Sequence, residues 1–158
     1  MKIINDVRGS LAIFENFDKN HIFNNEFHLI KIYKNKDLEI ITKNNSNFKY
    51  SSKNVTFDTK RIFFLFNVPS NIPRGDHAHI QCSQFLVSMF GKINLEVFNG
   101  TNWINIELIQ GDSYLLKPLS WIGKIWFENN AVLAVFCSHK FKEADYIRSI
   151  DSYTKLVL

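Results

Sequence analysis

The sequence predicts an all-β domain, built as a barrel or a sandwich of short strands. Its strongest periodicity is strand-like, because short runs rich in aromatic and β-branched residues recur from residue 61 onward. Turn-forming residues separate these runs, among them Asn99-Gly100 and Gly111-Asp112. Many short strands at regular spacing are typical of barrels and sandwiches.

Each predicted strand has glycine, proline or asparagine directly next to it on at least one side. Asn99-Gly100 is a good hairpin signal, because both residues tolerate a positive φ and the pair joins two of the runs. Helix is predicted only near the C-terminus, within residues 142–157. The predicted strands are 61–68, 84–90, 92–98, 103–109, 113–117 and 131–137.

The chain of 158 residues has the length of one domain, and its 46% hydrophobic residues suffice for one core. Residues 19–56 depart from the pattern because they are rich in Asn and Lys, although strands fit at 29–34 and 38–42. This stretch has too few apolar residues for a core of its own. We interpret it as a hairpin and loop inserted into a single domain spanning residues 1–158.

Charge and cysteine content exclude several classes of protein. The formal net charge is +4, but acidic residues lie among the scattered Lys and Arg, unlike the basic stripe of a nucleic-acid-binding protein. Such a charge is compatible with a small anionic ligand.

Cys82 and Cys137 are too few for a disulfide framework and lack metal-ligand spacing. With no signal peptide or membrane span predicted, we expect a cytoplasmic protein that binds neither nucleic acid nor membrane.

Residues 73–91 carry the most informative motif. His77 and His79 are two apart, so on a strand their side chains leave the same face. Four residues separate His79 from Gln84, and six more separate Gln84 from Gly91. This spacing matches the first motif of the cupins, which are jelly-roll barrels also called double-stranded β-helices. Cupins normally have Glu at the position of Gln84.

The same comparison argues against a metal. Many cupins bind a divalent metal through two His, the Glu and a later His, but Ile122 stands where that later His is expected. A catalytic metal usually needs three protein ligands, so we predict no metal and no cofactor. His77 and His79 then remain for proton transfer, because histidine titrates near neutral pH. Alternatively, one histidine bonds a backbone carbonyl while the other only lines a wall.

Several segments together resemble one family of cupins. The chain is similar to the dTDP-4-keto-6-deoxyglucose 3,4-ketoisomerases, which make 3-keto sugars for later amination. The start of the chain, at 6–11 with Glu15, is similar to the opening strand of this family and of the related sugar-nucleotide epimerases. The likeness covers residues 1–16 and 57–155. Inside the second range it rests on 61–66, 73–79, 84–100, 117–121 and 143–153.

The resemblance implies a cupin barrel with a short C-terminal helix, and a homodimer that exchanges N-terminal strands. It implies an isomerase that moves the ketone of a dTDP-linked 4-keto-6-deoxy sugar from C4 to C3 in deoxyamino-sugar biosynthesis, as for a lipopolysaccharide O-antigen. His77 aligns with the catalytic histidine of the family, and His79 would orient the sugar or assist the transfer. Arg8 and Arg74 would bind the diphosphate or sugar oxygens, because a guanidinium fork fits phosphate.

The chain departs from the family at three positions. Phe63 replaces a catalytic Tyr fourteen residues before His77, Ile80 replaces a Lys, and Ile122 replaces a His. We expect these positions to lie in or near the barrel lumen. Tyr114 is a substitute source of a hydroxyl, and with Gln84 it completes the predicted substrate-binding residues. Two alternatives stay open: an epimerase or isomerase acting on another nucleotide sugar, and a non-catalytic cupin that binds a sugar nucleotide.

Overall fold

The computed structural model describes residues 2–15, 38–40, 49–52 and 55–157. The described chain contains a 3-10 turn at Glu143–Asp145 and one α-helix, α1, at Ile150–Val157. Its strands in chain order are β1 (Lys2–Asp6), β2 (Gly9–Glu15), β3 (Leu38–Ile40), β4 (Lys49–Ser52), β5 (Val55–Asp58), β6 (Arg61–Phe66), β7 (Arg74–His79), β8 (Gln84–Phe90), β9 (Ile93–Phe98), β10 (Trp103–Leu108), β11 (Ser113–Leu116), β12 (Trp121–Phe127), β13 (Val132–Cys137) and β14 (Tyr146–Ile147).

Two antiparallel sheets face each other around the core. The first has the order β1-β2-β6-β13-β8-β11, and the second has the order β10-β9-β12-β7-β14. Strands distant in sequence are neighbours in both sheets, which is the pattern of a jelly roll. The cupin fold predicted from the sequence is therefore confirmed. A separate small sheet contains β3, β4 and β5.

The core lies between the two sheets because each strand turns alternate side chains inward. On β9, for example, Ile93, Leu95 and Val97 are buried in the core. The first sheet contributes Leu65 and Leu86 to the same cluster. Inward positions on β6, β7 and β8 therefore line one lumen, and the predicted site residues on these strands are brought together there.

Helix α1 packs on the outer face of the second sheet. Its Tyr153 is fully buried against Ala78 and Trp121. The Tyr153 hydroxyl donates a hydrogen bond to the carbonyl oxygen of Leu119 at 2.7 Å. This packing fixes the chain next to β14, and β14 in turn pairs with the end of β7 that carries His79.

An irregularity in β7 determines where its side chains point. Gly75 and Asp76 both have positive φ, and a Cβ at Gly75 would lie 2.6 Å from the carbonyl oxygen of Gly123. Glycine is thus needed at position 75. Arg74 pairs with Ile125 and His77 pairs with Ile122, and both isoleucines are core residues. Since paired residues share a face, Arg74 and His77 both point toward the lumen.

The N-terminal hairpin of β1 and β2 extends the first sheet at its edge. All five side chains of β1 are exposed, and Val7 at the turn is 80% exposed. Gly9 has a φ of 106°, and a Cβ there would lie 2.7 Å from the Cα of Val68. The hairpin can therefore pack this closely on the barrel only with glycine at that position.

Most predicted strands are confirmed with ends shifted by one or two residues. The prediction missed β12, which begins just after the turn at Pro118 and whose apolar pattern is interrupted by Gly123 and Lys124. Within 142–157 the chain forms the 3-10 turn and β14 before α1 begins. The predicted strand at 29–34 lies outside the described residues. None of the described helices is long and apolar enough to span a membrane.

Candidate active site

The two motif histidines lie side by side, as their spacing predicts. His77 and His79 leave the same face of β7, and their ring centroids are 5.1 Å apart in an edge-to-face arrangement. His79 is buried, while His77 is half-buried. The pair sits where β7 meets β14, facing the first sheet.

Both ring nitrogens of His79 are engaged in hydrogen bonds. Nδ1 lies 2.9 Å from Oδ2 of Asp145, and the carboxylate can only accept, so Nδ1 carries the proton. Nε2 then accepts a hydrogen bond from the side-chain amide of Gln84 at 3.1 Å. The backbone N–H of Gln81 donates to the other oxygen of Asp145 at 2.7 Å. The ring is therefore fixed in orientation, and its one basic nitrogen is occupied.

The electrostatics keep His79 neutral. Burial, together with the neighbouring His77, lowers the pKa of His79 to about 4, although its hydrogen bond to Asp145 acts in the opposite direction. A ring with this pKa and no free lone pair is poorly suited to take a proton from carbon. The geometry holds the His79 ring in one orientation.

His77 has the opposite arrangement. Its Nδ1 lies 3.0 Å from the carbonyl oxygen of Gly75 and donates to it, which leaves the lone pair on Nε2. In the described part of the chain, Nε2 has no hydrogen-bond partner. Burial lowers the pKa of His77, so the ring is neutral at neutral pH. This hydrogen bond to the backbone fixes the orientation of the His77 ring.

Tyr146 and Arg61 also belong to this site, and the sequence prediction missed them. The Tyr146 ring centroid lies 5.2 Å from that of His77 and 4.2 Å from that of His79. Nη2 of Arg61 donates to the Tyr146 hydroxyl at 3.3 Å and to Sγ of Cys137 at 3.4 Å. Arg61 is only 5% exposed. The sequence contains one signal for Arg61, because this charged residue lies on the same face of a predicted strand as Phe63.

The three departures from the family lie in different surroundings. Phe63 packs against the core, with its ring centroid 5.1 Å from Cζ of Arg61. Ile122 is buried in the core opposite His77. Ile80, however, is 42% exposed, so the expectation that it lies near the lumen is wrong. It directly follows the last residue of β7, where the alternation turns its side chain away from that of His79.

The two predicted arginines form a second group around Asp6. Arg8 pairs with the carboxylate of Asp6 through Nε and Nη2, at 3.1 and 2.5 Å, while Nη1 of Arg74 lies 3.4 Å from it. The side chain of Arg8 is 57% exposed and that of Arg74 is 13% exposed. The hydrogen bonds from Arg8 lower the pKa of Asp6. Two guanidinium groups therefore converge on one carboxylate.

Gln84 and Tyr114 were both predicted to bind substrate. The amide nitrogen of Gln84 is instead engaged with His79. Tyr114 packs against the core cluster and pairs with Leu86, so it lies on the lumen side of β11. Its hydroxyl makes no hydrogen bond to either histidine, as far as the described residues extend. The substrate-binding role of both residues stays a prediction.

The cupin metal positions do not fit a metal in this chain. Ile122 offers no ligand atom, and Gln84 directs its amide N–H at His79. Another set of potential ligand atoms, on His79, Cys82 and Asp145, lies within 4.8 Å of one another. The spacing of Cys82 gave no indication of this proximity. In that set His79 and Asp145 already satisfy each other by a hydrogen bond.

The chain matches a family model and a curated protein. The family model described as FdtA, WxcM-like, C-terminal matches residues 25–158. A TDP-4-oxo-6-deoxy-alpha-D-glucose-3,4-oxoisomerase from Aneurinibacillus thermoaerophilus is 31% identical over 107 residues, which are 67% of this chain and 77% of that protein.

Two solved structures extend the likeness. A sugar 3,4-ketoisomerase from Thermoanaerobacterium thermosaccharolyticum in complex with TDP is 26% identical, with a TM-score of 0.61, over 70% of this chain and 90% of that one. A TDP-quinovose 3,4-ketoisomerase from Campylobacter jejuni is 27% identical, with a TM-score of 0.60, over 98% of this chain and 92% of that one. The chain belongs to the FdtA, WxcM-like family of sugar 3,4-ketoisomerases.

Proposed function

We propose that this chain is an isomerase that moves the ketone of a TDP-linked 4-keto-6-deoxy sugar from C4 to C3. The observation that carries the proposal is the state of His77. Its ring is neutral, its Nδ1–H is held by the carbonyl oxygen of Gly75, and its Nε2 lone pair is available in a partly buried site. This is what a general base needs.

The reaction requires one proton to move between neighbouring carbons. Nε2 of His77 removes the proton from C3, and the bonding electrons form the C3–C4 double bond as the oxygen on C4 gains a proton. The oxygen on C3 then loses its proton, C3 becomes the ketone, and the imidazolium returns its proton to C4. Because C3 and C4 are adjacent, one base reaches both, and no metal takes part.

His79 assists this base without exchanging protons with the sugar. Asp145 and Gln84 hold its ring, and the edge of one imidazole lies against the other. A neutral neighbour leaves His77 free to become positively charged during the reaction, whereas a cationic one would oppose that charge.

Arg74 and Arg8 bind the diphosphate. Among the described residues, their two positive charges share the single carboxylate of Asp6, so an incoming diphosphate finds a net positive site. Arg74 is the stronger contributor, because its side chain is mostly buried on the lumen side and is more weakly screened than that of Arg8. The relatives that act on TDP sugars support this choice of nucleotide.

The active form is a homodimer, and its product enters deoxyamino-sugar biosynthesis. Support for the dimer comes from the N-terminal hairpin, where apolar Ile3 and Val7 are exposed beside an edge strand. Sedimentation at micromolar concentration is expected to give twice the monomer mass. A monomer would contradict this part of the proposal.

The direct test is incubation of the purified protein with TDP-4-keto-6-deoxyglucose, followed by proton NMR. Conversion to the 3-keto isomer is expected. Conversion to a sugar with the ketone still at C4 and an inverted centre would identify an epimerase instead. Binding of the nucleotide sugar without any product over hours would identify a non-catalytic binding protein.

A further inference from the structure

The proposed reaction leaves two oxygen-bound protons without a carrier. The oxygen on C4 must gain a proton and the oxygen on C3 must lose one, while His77 handles the proton on carbon. His79 is engaged by Asp145 and Gln84, and Phe63 has no hydroxyl. The reaction therefore needs a further proton-carrying group, other than the two histidines and close to them.

Tyr146 is placed to be that group. On β14 it pairs with His79 on β7, so its ring lies on the same face as the two imidazoles and touches both. The two other tyrosines whose side chains the structure describes do not contact the histidine pair. Tyr153 lies under α1 with its hydroxyl bonded to Leu119, and Tyr114 packs on the core from β11.

Arg61 prepares the Tyr146 hydroxyl for proton exchange. Its Nη2 donates a hydrogen bond to the phenol oxygen at 3.3 Å, which leaves the phenol proton free to point at a substrate. Burial raises the pKa of Tyr146, so the hydroxyl is protonated at neutral pH. The charge of Arg61 acts against that rise and would stabilise a transient phenolate.

We propose that the Tyr146 hydroxyl, held by Arg61, carries the proton between the two sugar oxygens and replaces the hydroxyl that Phe63 lacks. This inference rests on the proposed function. The phenol gives its proton to the oxygen on C4 as His77 removes the C3 proton. The resulting phenolate then takes the proton from the oxygen on C3, so Tyr146 ends as it began. Tyr146 is a catalytic residue in this scheme, and Arg61 is a positioning residue.

Tyr146→Phe tests the proposal, because it removes one oxygen and keeps the ring. We expect kcat to fall by about 10²-fold or more, KM to change by less than about threefold, and affinity for TDP to stay the same. Tyr153→Phe is the matched control. It removes a buried hydroxyl outside the site, so it should lower the melting temperature and leave kcat unchanged.

A double variant separates positioning from packing. Because Arg61 acts through Tyr146, Arg61→Lys should lower kcat in the wild-type background but hardly further in Tyr146→Phe. If the two losses of kcat multiply in the double variant, the proposed link between Arg61 and Tyr146 is contradicted. If Arg61→Lys does not fold, the kcat of Tyr146→Phe alone tests the role of Tyr146.

The outcomes distinguish the two proposals. Active wild type with kcat of Tyr146→Phe within about threefold of it would overturn the role of Tyr146 and leave the isomerase standing. Wild type without activity would overturn the proposed function itself, and the role of Tyr146 with it.

Discussion

The side-chain amide of Gln84 lies 3.1 Å from Nε2 of His79 and occupies the lone pair that a base would need. Two histidines that look equivalent in the sequence thus have different hydrogen-bond environments. His79 is held at both nitrogens, whereas His77 is held at Nδ1 only. The proposed roles of His77 as the base and of His79 as its support rest on this difference.

His79 makes folding stability depend on pH. Its pKa is about 4 in the folded protein, against 6.5 for an unperturbed histidine, so between these values the unfolded chain binds more protons. The free energy of unfolding should therefore fall as pH drops from 6.5 to 4, by up to roughly 3 kcal/mol from this group at 1.36 kcal/mol per pKa unit. Denaturant melts at several pH values measure this. His79→Gln, which does not titrate, should show a shallower slope, and an equal slope would contradict the assignment.

Restoring the family hydroxyl at position 63 tests how the chain works without it. The Phe63 ring lies beside Arg61, so Phe63→Tyr adds a hydroxyl near the same guanidinium. We expect the rate of isomerisation to stay the same or rise, as measured by NMR with the nucleotide sugar. A binding protein that has lost catalysis would show no sugar-proton exchange in wild type, and the single substitution would hardly change that.

Removing either arginine should weaken nucleotide binding and spare the chemistry. Charge-assisted hydrogen bonds are worth about 1.5–3 kcal/mol, so Arg74→Ala should weaken TDP binding by roughly tenfold or more. Arg8→Ala should cost less, because its side chain is more exposed to solvent and salt. Calorimetry with TDP at two salt concentrations would measure both effects. Unchanged TDP affinity in Arg74→Ala would contradict the proposed role of Arg74 in binding the diphosphate.

The purified protein should carry no stoichiometric transition metal, and chelators should leave its activity intact. The reason is that Gln84 and Ile122 stand at two cupin ligand positions. Elemental analysis tests this directly. One zinc, iron, nickel or manganese per chain would contradict it, and loss of that metal in Cys82→Ser would place it among His79, Cys82 and Asp145.

The sequence predicts the barrel well because strand periodicity and turn residues are local signals. It also places His77 and His79 on one face, since that depends only on their spacing. It misses Tyr146 and Arg61, because their contact joins β14 to β6 across the lumen and has no local pattern. It misplaces Ile80 because the strand ends at His79, and sequence spacing does not show where a strand stops.

The identity of the base is the central claim, and His77→Asn in deuterated water tests it most directly. Asparagine can still donate to the carbonyl of Gly75 but has no basic nitrogen. With TDP-4-keto-6-deoxyglucose and wild type, proton NMR should show the 3-keto isomer, with deuterium entering at the sugar carbons in those turnovers where the imidazolium of His77 exchanges its proton with solvent before returning it. With His77→Asn, that incorporation should be lost while nucleotide affinity stays nearly intact. Undiminished deuterium incorporation in His77→Asn would contradict the assignment of His77 as the base.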